Sequence, residues 1–252
     1  MLEYQNVYAQ AGRTPILENC SVSFPTGKLS IVVGQNGCGK TTLLQCLNGA
    51  SRVTEGKILL NGADFLSLSL KERAKRIAFL PQTRAVIPTL PVQNLVEHGR
   101  FPWLGFARRK SEKDREIVED AMRFAGTDAY AMQRVDTLSG GMRQRAFFAM
   151  TLAQDCDVIV LDEPTTYLDL PGQRQFMKSL VQLSRKGKTV IAVLHDLSQA
   201  LQYADLLVVM ENRQIAAVMP PKQCLKSHIL EQVFDAKIKT FSDAEGTYYV
   251  VS

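Results

Sequence analysis

Apolar residues follow two patterns along the chain, and together the patterns predict a sheet covered by helices. Continuous apolar runs occupy residues 29–33, 158–161 and 189–194, which is typical of strands buried on both faces of a parallel sheet. Between these runs, apolar residues recur at helical spacing, most clearly over 111–124 and 171–185. Strands that alternate with helices in this way predict an α/β fold.

Segments near both ends of the chain alternate between apolar and polar residues and predict antiparallel strands. Residues 2–24 contain Gly12 and Pro15, so we expect two short strands joined by a turn. A strand over 55–60 runs into Asn61-Gly62, a typical hairpin turn, and would complete an antiparallel side sheet. Towards the C-terminus the pattern predicts strands over 206–210 and 214–218, a helix from 220 to 234, and a hairpin of 238–241 with 248–251 across 243–246.

The middle of the chain is dominated by helical patterns. Ser111 can cap the helix predicted over 111–124, and Gly126 suits its C-terminal end. Further helices are expected over 70–76, 92–98 and 140–153, with a buried strand over 77–80. We therefore predict one domain spanning residues 1–252, in which residues 1–82 and 157–252 form a core lobe and residues 83–156 form an inserted helical subdomain.

Composition narrows the class of protein. No apolar run approaches the roughly eighteen residues that span a bilayer, and the first five residues lack the basic and apolar regions of a signal peptide. The five cysteines are scattered without metal-ligand spacing, which favours reduced thiols in the cytosol over a disulfide framework. The net charge of +5 permits contact with anionic lipid or nucleic acid, and an ordinary soluble surface fits equally well. The basic cluster over 108–115 is typical of a solvated face.

A glycine-rich loop joins the first buried strand to a helical segment, which is the context of a phosphate-binding P-loop. The glycines let successive backbone N–H groups turn towards phosphate oxygens, and the helix adds its positive end. Lys40 can reach the β- and γ-phosphates, and the hydroxyl of Thr41 can bind Mg²⁺. We predict that the loop binds a nucleoside triphosphate through Gly34, Gln35, Asn36, Gly37, Cys38, Gly39, Lys40, Thr41 and Thr42.

Polar side chains follow three other predicted strands at the edge of the sheet where ligands bind. Asp162 is suited to Mg²⁺, and Glu163 is suited to act as general base on the attacking water. Gln82 could reach the metal or the water. The position of His195 favours a γ-phosphate sensor or an aid to water positioning over a structural histidine.

A second glycine-containing stretch, residues 138–145, lies far from the P-loop in sequence. Ser139 can cap the helix that follows, while Gly140 and Gly141 expose backbone N–H groups to an anion. A capped helix start would by itself account for this stretch.

Taken together, these motifs resemble those of the ABC-transporter ATPases. Residues 34–42, Gln82, 138–145, 158–163, 167–169 and His195 match, in order and spacing, the Walker A, Q-loop, signature, Walker B, D-loop and H-loop of that family. The resemblance covers essentially the whole chain and implies a P-loop ATPase with a mixed-sheet nucleotide-binding core. It also implies a head-to-tail dimer, in which Ser139, Gly140 and Gly141 bind the γ-phosphate of the partner's ATP and Asp169 couples the two sites.

A finer resemblance links the chain to ATPases of bacterial importers for ferric siderophores, haem and cobalamin. It implies two membrane permease subunits, an extracytoplasmic binding protein acting through them, and a location on the cytoplasmic face of the inner membrane, with nucleic acid not expected as a partner. A groove near residues 82–106 would receive a permease segment, with Phe101 and Trp103 either contacting it or packing in the core. The alternatives are a soluble cassette ATPase acting on ribosomes or nucleic acid, an exporter subunit, and a regulatory module without turnover, which Glu163 and His195 disfavour.

The sequence departs from the family pattern at three places. Met142 replaces the usual glutamine of the signature. The aromatic residue that usually stacks on adenine would fall near Ala11, so Tyr8 is the candidate substitute. Cys38 lies inside the phosphate loop, where the helix N-terminus is expected to favour its thiolate.

Overall fold

The computed structural model describes residues 1–82, 87–104, 110–243 and 247–252. The chain divides into two compact units, residues 1–68 with 180–252, and residues 69–179. The strands and helices are, in chain order, β1 (Leu2–Ala11), β2 (Thr14–Phe24), β3 (Leu29–Gly34), α1 (Lys40–Asn48), β4 (Arg52–Leu60), β5 (Ala63–Asp64), α2 (Leu70–Ala74), β6 (Ile77–Leu80), α3 (Val92–Glu97), α4 (Glu112–Ala125), α5 (Gly140–Leu152), β7 (Val158–Asp162), α6 (Leu170–Arg185), β8 (Thr189–Val193), α7 (Leu197–Tyr203), β9 (Leu206–Glu211), β10 (Gln214–Met219), α8 (Pro221–Lys226), α9 (Ile229–Phe234), β11 (Ile238–Ser242) and β12 (Thr247–Val251).

The first unit contains the predicted mixed sheet and side sheet. In the mixed sheet β3 is parallel to both β8 and β9, and β10 is antiparallel to β9. Every residue of β3 and β8 is buried, as expected for parallel strands covered on both faces. The side sheet is antiparallel with the order β2-β1-β4-β5, which confirms its prediction.

Two details of this unit differ from the sequence expectation. The first two strands are long, with ten and eleven residues, because irregularities in the β1–β2 register let the ladder continue past Asn6 and Asn19, both with positive φ. The single helix predicted over 220–234 is wrong. Its apolar pattern is shared by α8 and α9, which are separated where His228 takes a left-handed backbone with φ 56°.

The terminal hairpin of β11 with β12 is confirmed, and residues 244–246 of its predicted turn lie outside the described residues.

The second unit combines helices with a parallel strand pair. Strand β6 pairs with β7 in a register that places Leu80 beside Leu161, and α5 packs against both α3 and α4. Ser111 and Asp114 form the reciprocal capping box of α4, and Gly126 ends that helix in the left-handed conformation with φ 68°. The helix predicted over 92–98 ends at Glu97 and continues as a 3₁₀ helix, His98–Trp103, which contains Pro102.

The second unit is wider than the predicted helical subdomain, 83–156, because β6, β7 and the start of α6 group with the helices. The predicted boundaries stay a prediction. Among the residues the structure describes, no helix is both long enough and apolar enough to cross a membrane.

Candidate nucleotide site

The phosphate loop of the first unit runs from the last residue of β3 to the first turn of α1. Gly37 and Gly39 have φ values of 80° and 106°, which L side chains rarely adopt. A Cβ atom added at Gly34 would collide with the carbonyl oxygen of Met210 on β9 and would lie 2.6 Å from Sγ of Cys38. Packing within the chain therefore requires glycine at Gly34, and the backbone conformation favours glycine at Gly37 and Gly39.

Lys40 lies over this loop and is 6% exposed. Its ammonium group donates to the carbonyl oxygens of Gly34, at 2.8 Å, and of Gln35, at 2.9 Å. Phosphate oxygens are stronger partners for an ammonium group than neutral carbonyls are. Lys40 is therefore placed where a phosphate could replace a carbonyl as its partner, with the half-buried Thr41 next to it in α1.

Cys38 is also buried in this loop, and the expectation of a favoured thiolate is wrong. Burial raises the pKa of the Cys38 thiol, and this effect exceeds the opposing effects of the Lys40 charge and of backbone hydrogen bonds. Excluding water removes the hydration of the thiolate, and this cost exceeds the stabilisation that the nearby positive charge and backbone N–H groups supply.

His195 follows β8, and β8 is the parallel neighbour of β3, with Val193 beside Val32. The phosphate loop and His195 therefore leave the first unit's sheet at the same edge. Asp196 caps α7 by accepting from the backbone N–H groups of Ser198, at 2.8 Å, and Gln199, at 3.2 Å. This cap fixes the start of the helix directly after His195, which is itself exposed.

Tyr8, the candidate for adenine stacking, lies half-buried in β1 opposite Glu55 of β4. Ala11, where the family usually has its aromatic residue, is exposed at the end of the same strand. The role of Tyr8 stays a prediction.

In the second unit Glu163, the predicted general base, lies beside the side-chain amide of Gln82. Asp162 is 2% exposed at the end of β7, and Glu163 follows it with a left-handed backbone, φ 48°. The side-chain amide of Gln82 donates to Oε2 of Glu163 at 2.6 Å. A positive φ is strained for glutamate, and such strain is common at functional sites, where the surrounding structure holds it.

Around the signature stretch, the structure confirms the capped helix start. The hydroxyl oxygen of Ser139 accepts from the backbone N–H of Met142 at 3.3 Å. Gly140 and Gly141 form the first turn of α5, and a Cβ atom added at Gly140 would meet its nearest neighbour, Cβ of Tyr167, at an ordinary 3.6 Å. The replacement of glutamine by Met142 leaves the helix start intact.

The sequence analysis assigned no role to two supporting residues of this unit, Gln144 and Gly172. The amide of the buried Gln144 donates to the carbonyl of Pro164 at 2.7 Å and so joins α5 to the turn after Glu163. Asp169 accepts from the backbone N–H of Gly172 at 3.0 Å, and a Cβ atom at Gly172 would lie 2.6 Å from that carboxylate oxygen. A glutamine within the buried face of α5 and a glycine three residues after Asp169 were the available signals.

Phe101 and Trp103 are exposed, at 52% and 42%, so core packing does not explain them. The Trp103 indole donates to the carbonyl of Gln154 at 2.7 Å, and the Arg100 guanidinium lies 5.4 Å from the ring centre. Part of the predicted groove, residues 83–86 and 105–106, lies outside the described residues, as do Arg108 and Arg109 of the basic cluster.

Comparison with known proteins agrees with this chemistry. The ABC transporter family model matches residues 17–166, and curated relatives at 35% to 41% identity are ATP-binding subunits of siderophore, haem and iron-hydroxamate importers. One of them, the ferric enterobactin transport ATP-binding protein of Escherichia coli strain K12, is 39% identical over 242 residues, which is 95% of this chain and 89% of that protein.

Two solved structures extend the comparison to the fold. A protein described as a metal-chelate type ABC transporter, in an inward-facing conformation, superposes with a TM-score of 0.84 at 25% identity, covering 100% of this chain and 97% of its own. The dimeric bacterial ABC transporter cassette MJ0796 superposes with a TM-score of 0.77 at 25% identity, covering 88% and 99%.

A glycine-rich loop between a buried strand and a helix, with a buried lysine at the start of that helix, is typical of a P-loop ATPase. The chain belongs to the ABC transporter family and is one of its ATP-binding, ATP-hydrolysing subunits.

Proposed function

We propose that this ATPase powers an importer for iron chelates, of the ferric siderophore class or the related haem and cobalamin class. The observation that carries the proposal is the likeness to iron-chelate import subunits along almost the full length of both chains, as with the ferric enterobactin protein. It extends beyond residues 17–166, the part that matches the general family model. The likeness therefore includes parts of the chain outside the shared ATPase motifs.

Within the ATP site, we propose that the phosphate loop and Lys40 bind the triphosphate. Glu163 would take the proton of the attacking water, and Gln82 and His195 would orient that water. The hydroxyl of Thr41, the amide oxygen of Gln82 and the carboxylate of Asp162 are hard oxygen ligands, so this donor set fits Mg²⁺. When bound, Mg²⁺ neutralises charge on the β- and γ-phosphates.

We further propose that two copies close head to tail around ATP and separate after hydrolysis. Ser139, Gly140 and Gly141 would then bind the γ-phosphate of the partner copy's ATP, and Asp169 would couple the two sites. The exposed side chain of Tyr167, whose Cβ lies 3.6 Å from the position of a Cβ atom added at the exposed Gly140, supports this proposal, because exposed apolar groups are typical of an interface. Leu170, three residues further along the chain, is exposed as well. The cassette MJ0796, which has a similar fold, is dimeric, and this supports a dimer of the present chain.

For the membrane partners, we propose that two permease subunits bind this chain on the cytoplasmic face of the inner membrane. Phe101 and Trp103 would contact them, since exposed aromatic residues are frequent at interfaces. A binding protein outside the membrane would deliver the chelate to the permease.

Affinity purification of the tagged protein from detergent-solubilised native membranes, with mass spectrometry, tests the import assignment. We expect a multi-spanning permease to be recovered, and recovery to fall when both Phe101 and Trp103 are replaced by alanine. Exposed Met132→Ala provides a matched control. Recovery of ribosomes or nucleic acid from the soluble fraction, without a permease, would instead support the soluble cassette ATPase.

The substrate class is then tested with the purified complex in proteoliposomes. Stimulation of ATP hydrolysis by a binding protein loaded with ferric siderophore would support import. Stimulation by a compound added on the ATPase side would point to an exporter.

A further inference from the structure

Gln35, the first loop residue after β3, makes a long-range contact that its place in the phosphate loop does not require. Its side-chain amide donates to the backbone carbonyl of Val233, in the last turn of α9, at 2.7 Å. Carbonyls at a helix C-terminus lie beyond the reach of the helix's own amides and are available to other donors. The backbone carbonyl of Gln35 accepts from Lys40 at 2.9 Å, so this one residue contacts both the phosphate-binding lysine and α9.

Helix α9 is itself tied to the terminal hairpin. One carboxylate oxygen of Glu231 accepts from the backbone N–H of Ile238 at 3.1 Å, and the other contacts the ring of His228. Lys237 and Ser252 exchange two backbone hydrogen bonds, which close the open end of the hairpin. We call residues 229–243 and 247–252 the C-terminal segment.

The C-terminal segment also contacts the helix that follows His195. Strand β12 packs against α7, the helix that begins two residues after His195. One segment therefore contacts the phosphate loop at Gln35 and the helix that continues from His195.

We propose that Gln35 is a positioning residue, which anchors the phosphate loop to α9 and thereby couples nucleotide binding to the order of the C-terminal segment. The inference rests on the proposed assignment of residues 34–42 as the ATP site. Backbone N–H groups bind phosphate best when they already point at it, because no binding free energy is then spent on ordering the loop. Coupling between two sites is reciprocal, so nucleotide should order the segment as much as the segment aids the nucleotide.

The hydrogen bond can be removed with little change in side-chain size by Gln35→Met. The matched control is Gln232→Met, at an exposed position of α9. From the usual net contribution of one hydrogen bond, we expect Gln35→Met to weaken binding of Mg-ADP about threefold to tenfold. ADP occupies the phosphate loop without presenting a γ-phosphate to a second copy, so changes in dimerisation do not enter the measurement.

Hydrogen–deuterium exchange of the full chain, measured with and without Mg-ADP, distinguishes this coupling from a purely structural role of Gln35. We expect nucleotide to slow amide exchange in the C-terminal segment of the wild type and of Gln232→Met, and to leave it unchanged in Gln35→Met. Glu231→Ala, which removes the acceptor for Ile238, should keep the protection of α9 and lose that of the hairpin. This second variant leaves the loop itself untouched.

Wild-type affinity together with wild-type protection in Gln35→Met would overturn the inference. If Gln35→Met fails to fold, nucleotide protection of the hairpin that persists unchanged in Glu231→Ala would overturn it as well. Failure of the underlying assignment gives a different result, because Lys40→Ala would then bind Mg-ADP as tightly as the wild type does.

Discussion

The protein has two glycine-containing stretches that lead into a helix, and opposite constraints act on them. In the phosphate loop, a Cβ atom at Gly34 would strike the backbone of Met210, and Gly37 and Gly39 have positive φ. In the signature stretch, Gly140 and Gly141 have helical backbones, and an added Cβ would meet neighbours at 3.4 Å or more. The first set of glycines is needed to build the loop, whereas the second set is not needed to build its helix.

This difference separates two reasons for placing glycine beside a phosphate. The loop glycines shape a cradle from the chain's own backbone, so the fold and the binding of phosphate cannot be altered independently there. Gly140 and Gly141 lower helix propensity without a gain in packing inside the chain. Their small size and bare N–H groups are best explained by a ligand or a copy outside the chain, which agrees with the proposed γ-phosphate contact in a head-to-tail dimer.

A substitution outside both stretches, at Glu163, is expected to lower ATP turnover the most. Glu163→Gln should lower ATP turnover about 100-fold to 10,000-fold, the usual contribution of a general base, while ATP still binds. The measurement is steady-state phosphate release together with equilibrium nucleotide binding, with exposed Glu119→Gln as the control. Near-normal turnover would remove Glu163 as the base.

Gly140→Asp should separate stability from activity in the signature stretch. An aspartate in the first turn of α5 favours the helix by up to about 1 kcal/mol, because its charge complements the helix N-terminus. The same charge would face the γ-phosphate of the partner's ATP, so ATP hydrolysis should fall about 100-fold. Thermal unfolding and ATPase rates, measured on the same preparation, test the expected rise in stability and the expected fall in ATP hydrolysis. Unchanged hydrolysis would contradict the assignment of Gly140 to a phosphate.

Gly34→Ala should lower the stability of the fold, whereas Gly140→Asp should raise it. Its methyl group would press against a backbone carbonyl that cannot move aside, and overpacking of this kind destabilises a protein by about 1–3 kcal/mol. For a chain of this size the melting temperature should fall by about 2–4 °C for each kcal/mol. Gly140→Ala is the matched control and should melt at or above the wild-type temperature. Equal melting temperatures of Gly34→Ala and Gly140→Ala would contradict the claim that packing constrains Gly34 but not Gly140.

Local signals made much of the fold predictable. The burial of β3, β7 and β8, the capping box of α4 and the turn at Gly126 depend on a few neighbouring residues whose physical preferences are strong. The phosphate loop was predictable for the same reason, because strand, glycines and helix follow one another directly.

The features that could not be predicted depend on contacts distant in sequence or on an unusual backbone. Glu163 and His228 have left-handed backbones although neither is glycine. The Gln35 amide finds its acceptor 198 residues away, so no local pattern shows where that side chain points. The pKa of Cys38 depends on how deeply the finished fold buries its thiol, which outweighs the helix terminus that the sequence does show.

Sedimentation velocity of Glu163→Gln with Mg-ATP, with and without Gly140→Asp in the same chain, tests most directly whether the signature glycines serve a second copy. We expect a dimer for Glu163→Gln that disappears when Gly140→Asp is added, while each chain still binds ATP through its own phosphate loop. A double variant that dimerises as strongly as Glu163→Gln would contradict it, because the glycines would then play no part in holding two copies around ATP.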